Sequence, residues 1–425
     1  MFKTSLFITG ISLLGSGLGF LVQVLLAREF GAGVAVDAYL FATGFPTFLA
    51  GLVGSTFAYS LVPKIAAFEA GLDERRIFIG AVLLAVLGLA LVLVITGMTV
   101  IEVQLSVLPA MSPIRAATDL KAMMYAGWVL CGTQVIWGCL AAMLNGTGRF
   151  FSAAFLSLAP YLGMLAAIAV SSNESALALP VGMALGSILA CFLAMVLVRG
   201  DMEFVRAASM PWLRVLGFIS SAPYTILATS CFSAYVVIDS YWAPQAGMGV
   251  FSNLGYAQRI LIAIGNLAII GPYTLIGPRL APLLAARDME AFRRVTLYTL
   301  GMVCSIGIFL AAAIGVAAEP VIKILFSRGE FSADDVVVLA STVRHMTPGM
   351  VGMLIVAVLL KVLFVLPGTG LSTAAVGLSW PVLYSVLSGL WIERGLSGIS
   401  TAYSVAWCLV AVLCAGVLVL RIKRC

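Results

Sequence analysis

The chain has 425 residues, of which 62% are hydrophobic and only 10% are charged. A soluble domain carries about 25% charged residues, so this composition excludes a water-facing surface over most of the chain. The formal net charge of +6 is carried mainly by short segments between apolar runs. Basic residues in such segments are typical of the cytoplasmic loops of membrane proteins, and no nucleic-acid partner is expected.

Apolar runs of about 20 residues recur along the chain, long enough for a helix to cross the ~30 Å of hydrocarbon in a bilayer. Unbroken runs favour helices over the alternating strands of a membrane barrel. The first run continues to Ala27 without a small-residue cleavage site, so we predict a retained helix there and not a signal peptide. The fold class is therefore all-α and polytopic, with about twelve spans. They are predicted at 5–27, 37–62, 77–100, 121–145, 151–171, 176–198, 214–240, 250–277, 294–317, 344–366, 372–391 and 398–420.

The distribution of basic residues predicts the orientation of the spans. With the N-terminus in the cytoplasm, 15 of the 24 Lys and Arg residues lie on the cytoplasmic side, and 7 lie on the opposite side. Lys and Arg favour cytoplasmic loops. Both termini are therefore expected in the cytoplasm, which requires an even number of spans.

A short internal repeat indicates two halves of similar plan. Pro-Lys-Ile-Ala at 63–66 matches Pro-Arg-Leu-Ala at 278–281, and an aspartate follows each, Asp73 and Asp288. The two motifs follow the second and eighth spans, an even offset that keeps both halves in the same orientation. We predict two six-helix lobes related by a pseudo-two-fold axis along the membrane normal. The predicted lobes are 1–200 and 214–425, and 201–213 is a cytoplasmic linker.

The polar chemistry outside the spans is sparse. The eight cysteines have no CxxC spacing and lie almost all in apolar runs, so we interpret them as small buried hydrophobes and expect neither disulfides nor a metal site. The single His345 provides neither a metal site nor a catalytic triad, and no catalytic residues are expected. In the predicted loop 318–343, Ser332 and Asp335 form an N-cap pattern that indicates a short helix, and a structural turn between the ninth and tenth spans is the favoured alternative.

Five stretches, in chain order, carry a family resemblance. They are AREFGAGVAVDAYLFA at 27–42, AAMLNGTGRFFSAAFLSLAP at 141–160, GYAQRILIAIGN at 255–266, GPRLAPLLAARDMEAFRR at 277–294 and EPVIKILFSRGEFSADD at 319–335. In these stretches the chain resembles the MurJ/MviN lipid II flippases, members of the multidrug/oligosaccharidyl-lipid/polysaccharide exporter superfamily.

The resemblance implies two lobes around a central cavity that opens alternately to each side of a bacterial inner membrane. The implied cargo is an undecaprenyl-diphosphate-linked sugar, and the implied partners are this lipid, the bilayer and glycan-assembly enzymes. A diphosphate head group cannot cross hydrocarbon unassisted, because burying an unpaired ion costs several kcal/mol or more. A flippase therefore needs a hydrated surface with cationic anchors and no covalent chemistry.

Arg259 is the leading candidate for a cationic anchor. It lies within the eighth span, a guanidinium matches diphosphate geometry, and the residue corresponds to a cavity arginine of the family. Snorkelling of Arg259 to the membrane surface is the alternative. Lys361 in the tenth span is a second candidate phosphate contact, again with snorkelling as the alternative. Gln23, Gln258 and Asn266 are polar candidates for substrate binding, although such residues also serve as interhelical hydrogen-bond partners.

Two charged residues near the first hinge are candidate gate residues. Asp37 corresponds to the hinge aspartate of the family, and it either pairs with Arg28 or caps the N-terminus of the second helix. Arg28 is otherwise an interfacial structural residue.

The resemblance assigns a coupling sodium ion to Asp239, near the end of the seventh span, and structural capping is the alternative role. The eleventh span offers a hard cation little anionic oxygen, since it provides Ser372, Thr373, Ser379 and Ser385 but no Asn or Asp. Coupling to sodium, to protons or to the membrane potential therefore stays open. No other cofactor is expected.

The chain departs from the family at positions that usually carry arginine in the first and second helices. Ser16, Val22, Ala50 and Gly51 stand there, so the cargo could be a lipid-linked glycan other than lipid II. The alternatives are an organic-cation or drug antiporter of the same superfamily, a membrane glycosyltransferase, ligase or polymerase, and a non-transporting scaffold. Short loops and a single histidine disfavour the enzyme.

Overall fold

The computed structural model describes residues 2–68, 73–170, 176–207, 217 and 223–422, and this part of the chain is almost wholly helical with no strand. Ten of its helices are long and apolar enough to cross a membrane, and a bent helix makes eleven. A further long helix covers the first predicted span, so the all-α polytopic fold class is confirmed. The principal helices are α1 (Phe2–Phe30), α2 (Val34–Ala66), α3 (Asp73–Thr99), α4 (Leu120–Gly146), α5 (Phe150–Val170), α6 (Ala178–Asp201), α7 (Pro223–Ala246), α8 (Val250–Ala285), α9 (Met289–Phe326), α10 (Ala333–Val365), α11 (Gly370–Leu390) and α12 (Ile392–Ile422).

The structure corrects the predicted loop at 318–343. Helix α9 extends to Phe326 and α10 begins at Ala333, so only 327–332 separate them. Ser332 and Asp335 form a reciprocal capping box, in which Asp335 N donates to Ser332 Oγ at 3.1 Å and Ser332 N donates to Asp335 Oδ2 at 2.9 Å. The predicted cap is correct, but it opens the tenth span itself and no separate short helix. Charged residues at both helix ends allow the helices to continue beyond the apolar layer.

Two helices of the second half are irregular. Helix α7 consists of Pro223–Cys231 and Tyr235–Ala246, so its predicted end at 240 is too early. Helix α8 bends between Val250–Ile269 and Gly271–Ala285, where Pro272 removes a backbone donor. The predicted start of the seventh span, 214–222, lies outside the described residues apart from 217.

The chain forms two compact units, Met1–Ile226 and Leu227–Cys425. In the first unit, α4 packs against α2, α3 and α6; in the second unit, α10 packs against α8, α9 and α12. The fourth of six principal helices is therefore central in each unit, in agreement with the internal repeat. The repeat motifs at 63–66 and 278–281 both lie in the C-terminal turns of their helices. The predicted lobe limits and linker stay a prediction, since 208–216 lie outside the described residues.

Glycines set the distance between α5 and α6. A Cβ atom at Gly186 would lie 2.2 Å from the carbonyl oxygen of Ala159, and one at Gly163 would lie 2.2 Å from that of Gly182. These contacts are to backbone atoms, which cannot move aside singly. The close packing of α5 and α6 therefore requires glycine at these positions.

We predict that Gly186→Ala lowers the thermal unfolding temperature of the detergent-solubilised protein. Overpacking a tight contact costs about 1–3 kcal/mol, because α5 and α6 must separate. Gly88→Ala in α3 is the matched control, since a Cβ there meets no atom within 4 Å. Alanine is about 1 kcal/mol more favourable than glycine inside a helix, so the control should be no less stable than the wild type. Equal unfolding temperatures for Gly186→Ala and the wild type would contradict the prediction.

Candidate functional site

A buried carboxylate lies inside the second unit with a donor on each of its oxygens. Asp239 on α7 is only 1% exposed. The Gln258 side chain on α8 donates from Nε2 to Asp239 Oδ2 at 2.6 Å, and the Tyr384 hydroxyl on α11 donates to Asp239 Oδ1. Both donor residues are buried. Three helices therefore converge on one carboxylate, which we call the Asp239 cluster (Asp239, Gln258 and Tyr384).

Aromatic side chains surround the Asp239 cluster on its α11 and α12 side. The Tyr384 ring lies 5.4 Å from the Trp380 ring and meets the Tyr403 ring edge-on at 5.7 Å. Trp242 on α7 donates from Nε1 to Ser385 Oγ at 3.2 Å, which joins α7 to α11 beside the cluster. A buried charge is tolerated only when it is paired or hydrogen-bonded. Ionisable residues inside membrane spans usually mark functional sites.

The structure rejects the capping role for Asp239. Helix α7 continues to Ala246, so Asp239 lies well before its end, and its carboxylate binds side chains of other helices. The α11 partner is Tyr384, which is not among the predicted site residues, because an uncharged tyrosine does not stand out in an apolar span. The sequence signal for this partner is a hydroxyl group inside an apolar span, four residues after Trp380.

The three serines and one threonine predicted as polar residues of α11 bond to groups outside the Asp239 cluster. Ser385 accepts from Trp242, and Ser372 accepts from Arg421. Thr373 donates to Thr369 O at 2.9 Å, and Ser379 donates to Val376 O at 2.7 Å.

The structure separates Gln258 from Arg259, although they are neighbours in sequence. Successive helix residues point about 100° apart; Gln258 is buried in the Asp239 cluster, whereas Arg259 is exposed on the surface of α8. Asn266 is exposed seven residues further on, which is two turns along the same face. Arg259 and Asn266 therefore share one stripe of α8, which we call the α8 stripe, and Gln258 lies outside it.

Lys361 on α10 contacts α8 at a point far from Arg259. Its ammonium Nζ is 4.4 Å from the ring centroid of Tyr273, a cation–π contact between α10 and α8. Tyr273 follows Arg259 by fourteen residues, about 21 Å of helix length, and the bend in α8 lies between them. The structure thus does not bring the two predicted phosphate contacts together at one point.

The predicted gate residues lie at the start of α2 and the end of α1. Arg28 forms an ion pair with Glu29, with Nε and Oε1 3.5 Å apart. Asp37 is buried, but Gly33 holds the N-cap position of α2, so the N-cap role of Asp37 is wrong. Pairing of Arg28 with Asp37 stays a prediction, as does substrate contact by the half-buried Gln23 of α1.

Of the four positions at which the family usually carries arginine, two lie in the core of the first unit. Val22 and Ala50 are buried, whereas Ser16 and Gly51 are exposed. A guanidinium at Val22 or Ala50 would be buried among apolar side chains, at high cost. The apolar residues at these two positions therefore serve packing.

Long apolar helices, two compact helical units and a carboxylate buried within the spans define a polytopic helical membrane protein. Solved structures share this fold. The lipid II flippase MurJ in an inward closed conformation has a TM-score of 0.77 at 18% identity, covering 96% of this chain and 86% of that one. An inward-facing multidrug resistance MATE family transporter of the MOP superfamily has a TM-score of 0.73 at 16% identity, covering 97% and 95%.

The family model of lipid II flippase MurJ matches residues 26–424, and the chain belongs to this family. The probable lipid II flippase MurJ of Haemophilus influenzae is 26% identical over 376 residues, which span 82% of this chain and 73% of the relative. That of Rhizobium meliloti is 25% identical over 433 residues, spanning 97% and 79%. The chain is therefore a transporter of the flippase class and not an enzyme, and the family resemblance seen in the sequence is confirmed.

Proposed function

We propose that this protein moves a polyprenyl-diphosphate-linked glycan precursor from the inner to the outer leaflet of the bacterial inner membrane, with both termini in the cytoplasm. The family match over residues 26–424 carries this proposal. The polyprenyl tail of such a lipid can stay in hydrocarbon throughout. The protein only has to provide a polar route for the charged head group, because the membrane barrier acts on the charge.

Arg259 and Asn266 of the α8 stripe are the proposed head-group contacts. Arg259 lies nine residues after Val250, about 14 Å along the helix axis and close to the middle of a ~30 Å hydrocarbon layer. An exposed guanidinium at this depth is costly against lipid, which favours a water-filled surface in front of it. Guanidinium offers paired donors to a diphosphate, and the Asn266 amide can contact phosphate or sugar two turns away.

The Asp239 cluster is the proposed coupling element. The Asp239 carboxylate on α7 accepts hydrogen bonds from α8 and α11. Loss or exchange of either bond would therefore change the contacts among all three helices. A sodium ion at Asp239 would have to displace Gln258 or Tyr384, because the oxygens that a hard cation needs already accept hydrogen bonds. The driving force is one of three, a sodium gradient, a proton gradient or the membrane potential, and the flipping experiment applies each of them separately.

The proposed function predicts accelerated flipping by the purified protein in proteoliposomes. A polyprenyl-diphosphate-linked glycan with a fluorescent sugar is placed in one leaflet, and its arrival in the other is followed with a membrane-impermeant quencher. We expect the labelled lipid to reach the other leaflet faster than in protein-free vesicles. Sodium, proton and potential gradients are then applied one at a time, and the rate should change further under the one that drives transport. Transport of an organic cation such as ethidium, without flipping of the lipid, would instead establish the antiporter.

A further inference from the structure

Helix α10 is interrupted at its centre by Pro348. Proline has no backbone N–H, so the carbonyl of Arg344 loses its helical donor, and the ring crowds that carbonyl. Helices bend at such sites unless another group completes the hydrogen bonding. The next residue, Gly349, adds backbone freedom at the same point.

The hydroxyl of Ser404 on α12 contacts α10 at this interruption. Gly349 N donates to Ser404 Oγ at 2.9 Å, and Ser404 Oγ donates to the carbonyl oxygen of His345 at 2.6 Å. Gly349 N–H and His345 C=O are the donor and acceptor of one i→i−4 rung of an α-helix. A single side chain of α12 therefore holds both ends of a rung that belongs to α10.

Two glycines bring the α12 backbone close enough for this contact. A Cβ atom at Gly349 would lie 2.8 Å from Ser404 Cα, and one at Gly352 would lie 2.9 Å from the carbonyl carbon of Trp407. One turn further on, the Cys408 thiol donates to the carbonyl oxygen of Pro348 at 3.7 Å. The α10–α12 contact is thus built around the proline, with α12 side chains bonded to the α10 backbone.

The two halves of α10 attach to different neighbours. On the N-terminal side, Arg344 donates from Nε to the carbonyl oxygen of Gly315 on α9 at 3.2 Å. It also forms an ion pair with Glu319 of α9, with Nη2 and Oε2 3.6 Å apart. On the C-terminal side, Lys361 packs on Tyr273 of α8. A helix that is anchored separately on each side of a proline is suited to bend there as its neighbours move.

We propose that Pro348 and Gly349 form a hinge in α10 and that Ser404 is a positioning residue for transport, because its hydroxyl bonds both ends of the Gly349–His345 rung while the helix bends. An unsatisfied backbone group is expensive where no water is present. Tyr403, next to Ser404, meets Tyr384 of the Asp239 cluster, which places the hinge beside the proposed coupling element. This inference rests on the proposed function for its transport readout alone.

The test is a double-mutant cycle of Ser404→Ala and Pro348→Ala, read by amide hydrogen exchange in nanodiscs without cargo and by flipping in proteoliposomes. Ser404→Ala should speed exchange across 345–352 by about tenfold and slow flipping by a similar factor, the effect of losing one hydrogen bond. Pro348→Ala restores the donor to the Arg344 carbonyl and removes the ring that crowds this turn, so the adjacent Gly349–His345 rung can close without Ser404. In that background, adding Ser404→Ala should change exchange and flipping less than twofold.

Ser400→Ala is the matched control. Ser400 is buried one turn earlier on α12, and in the described part of the chain its hydroxyl donates within α12, to Leu396 O and Ser397 O. It should leave exchange at 345–352 unchanged. Equal effects of Ser404→Ala with and without Pro348 would overturn the hinge, as would unchanged exchange.

Failure of Ser404→Ala to fold is informative as well. Rescue by Pro348→Ala would support the hinge, and unfolding in both backgrounds would overturn it. Absence of flipping by the wild type would reject the proposed function while the exchange result still decides the hinge.

Discussion

Arg259→Ala is expected to slow the flipping of a polyprenyl-diphosphate-linked glycan by about 10- to 150-fold, since a hydrogen bond to a charged group contributes about 1.5–3 kcal/mol. The guanidinium is exposed on α8, nine residues after Val250, and its removal leaves the diphosphate without its proposed anchor. The measurement is the initial flipping rate in proteoliposomes at equal protein density. The folded fraction is checked by thermal unfolding.

Two control variants separate charge from geometry at this position. Arg259→Lys keeps the charge but loses the paired donors, so we expect an intermediate rate. Arg294→Ala removes an exposed guanidinium that pairs with Glu290 within α9, and the rate should stay at the wild-type value. Asn266→Ala on the same stripe should have a smaller effect than Arg259→Ala. Wild-type flipping by Arg259→Ala would remove Arg259 from the site.

Asp239→Asn is expected to leave the protein folded and reduce flipping at least tenfold. Asparagine keeps the shape of the side chain, and the Tyr384 hydroxyl and Gln258 amide can both act as donor or acceptor, so the cluster can rearrange its hydrogen bonds. The charge that a coupling element needs is gone. Flipping is measured under each imposed gradient, and Asp239→Asn should abolish the response to the one that drives the wild type.

The neighbouring variants test whether the cluster is structural alone. Tyr384→Phe removes one hydrogen bond to a buried carboxylate and should cost about 1.5–3 kcal/mol of folding stability. Asp239→Ala leaves two buried donors without their acceptor and should unfold most easily. Ser240→Ala is the control, because within the described residues the Ser240 hydroxyl donates to the backbone of its own helix, to Val236 O and Val237 O. If Asp239→Asn kept both the flipping rate and the response to the gradient, the role of the Asp239 cluster would be structural alone.

Much of the fold follows from the sequence by elementary physics. Apolar runs of membrane length place the spans, since the thickness of the hydrocarbon layer sets the helix length. Ser332 and Asp335 predict the start of a helix because capping is a local interaction over three residues. The sequence could not show that this cap opens α10 itself, because the charged ends of α9 and α10 resemble a loop in composition.

The candidate site illustrates where local information stops. Arg259 is conspicuous inside a span of a sequence with 10% charged residues, whereas Asp239 is indicated by the family resemblance, with structural capping as its alternative role. The Tyr384 partner of Asp239 is 145 positions away along the chain. The sequence did not show that Gln258 turns towards Asp239 whereas Arg259 turns away.

The amino-acid sequence by itself determined the class of protein, the approximate spans and the rare charges inside them, because these depend on composition and local periodicity. Only the tertiary structure decided which faces of the helices meet, and with them the Asp239 cluster and the contact of Ser404 with α10. The physical reason is that lipid is as apolar as a protein core. A membrane helix can therefore be apolar on every side, and its sequence does not reveal which side faces lipid and which packs against another helix.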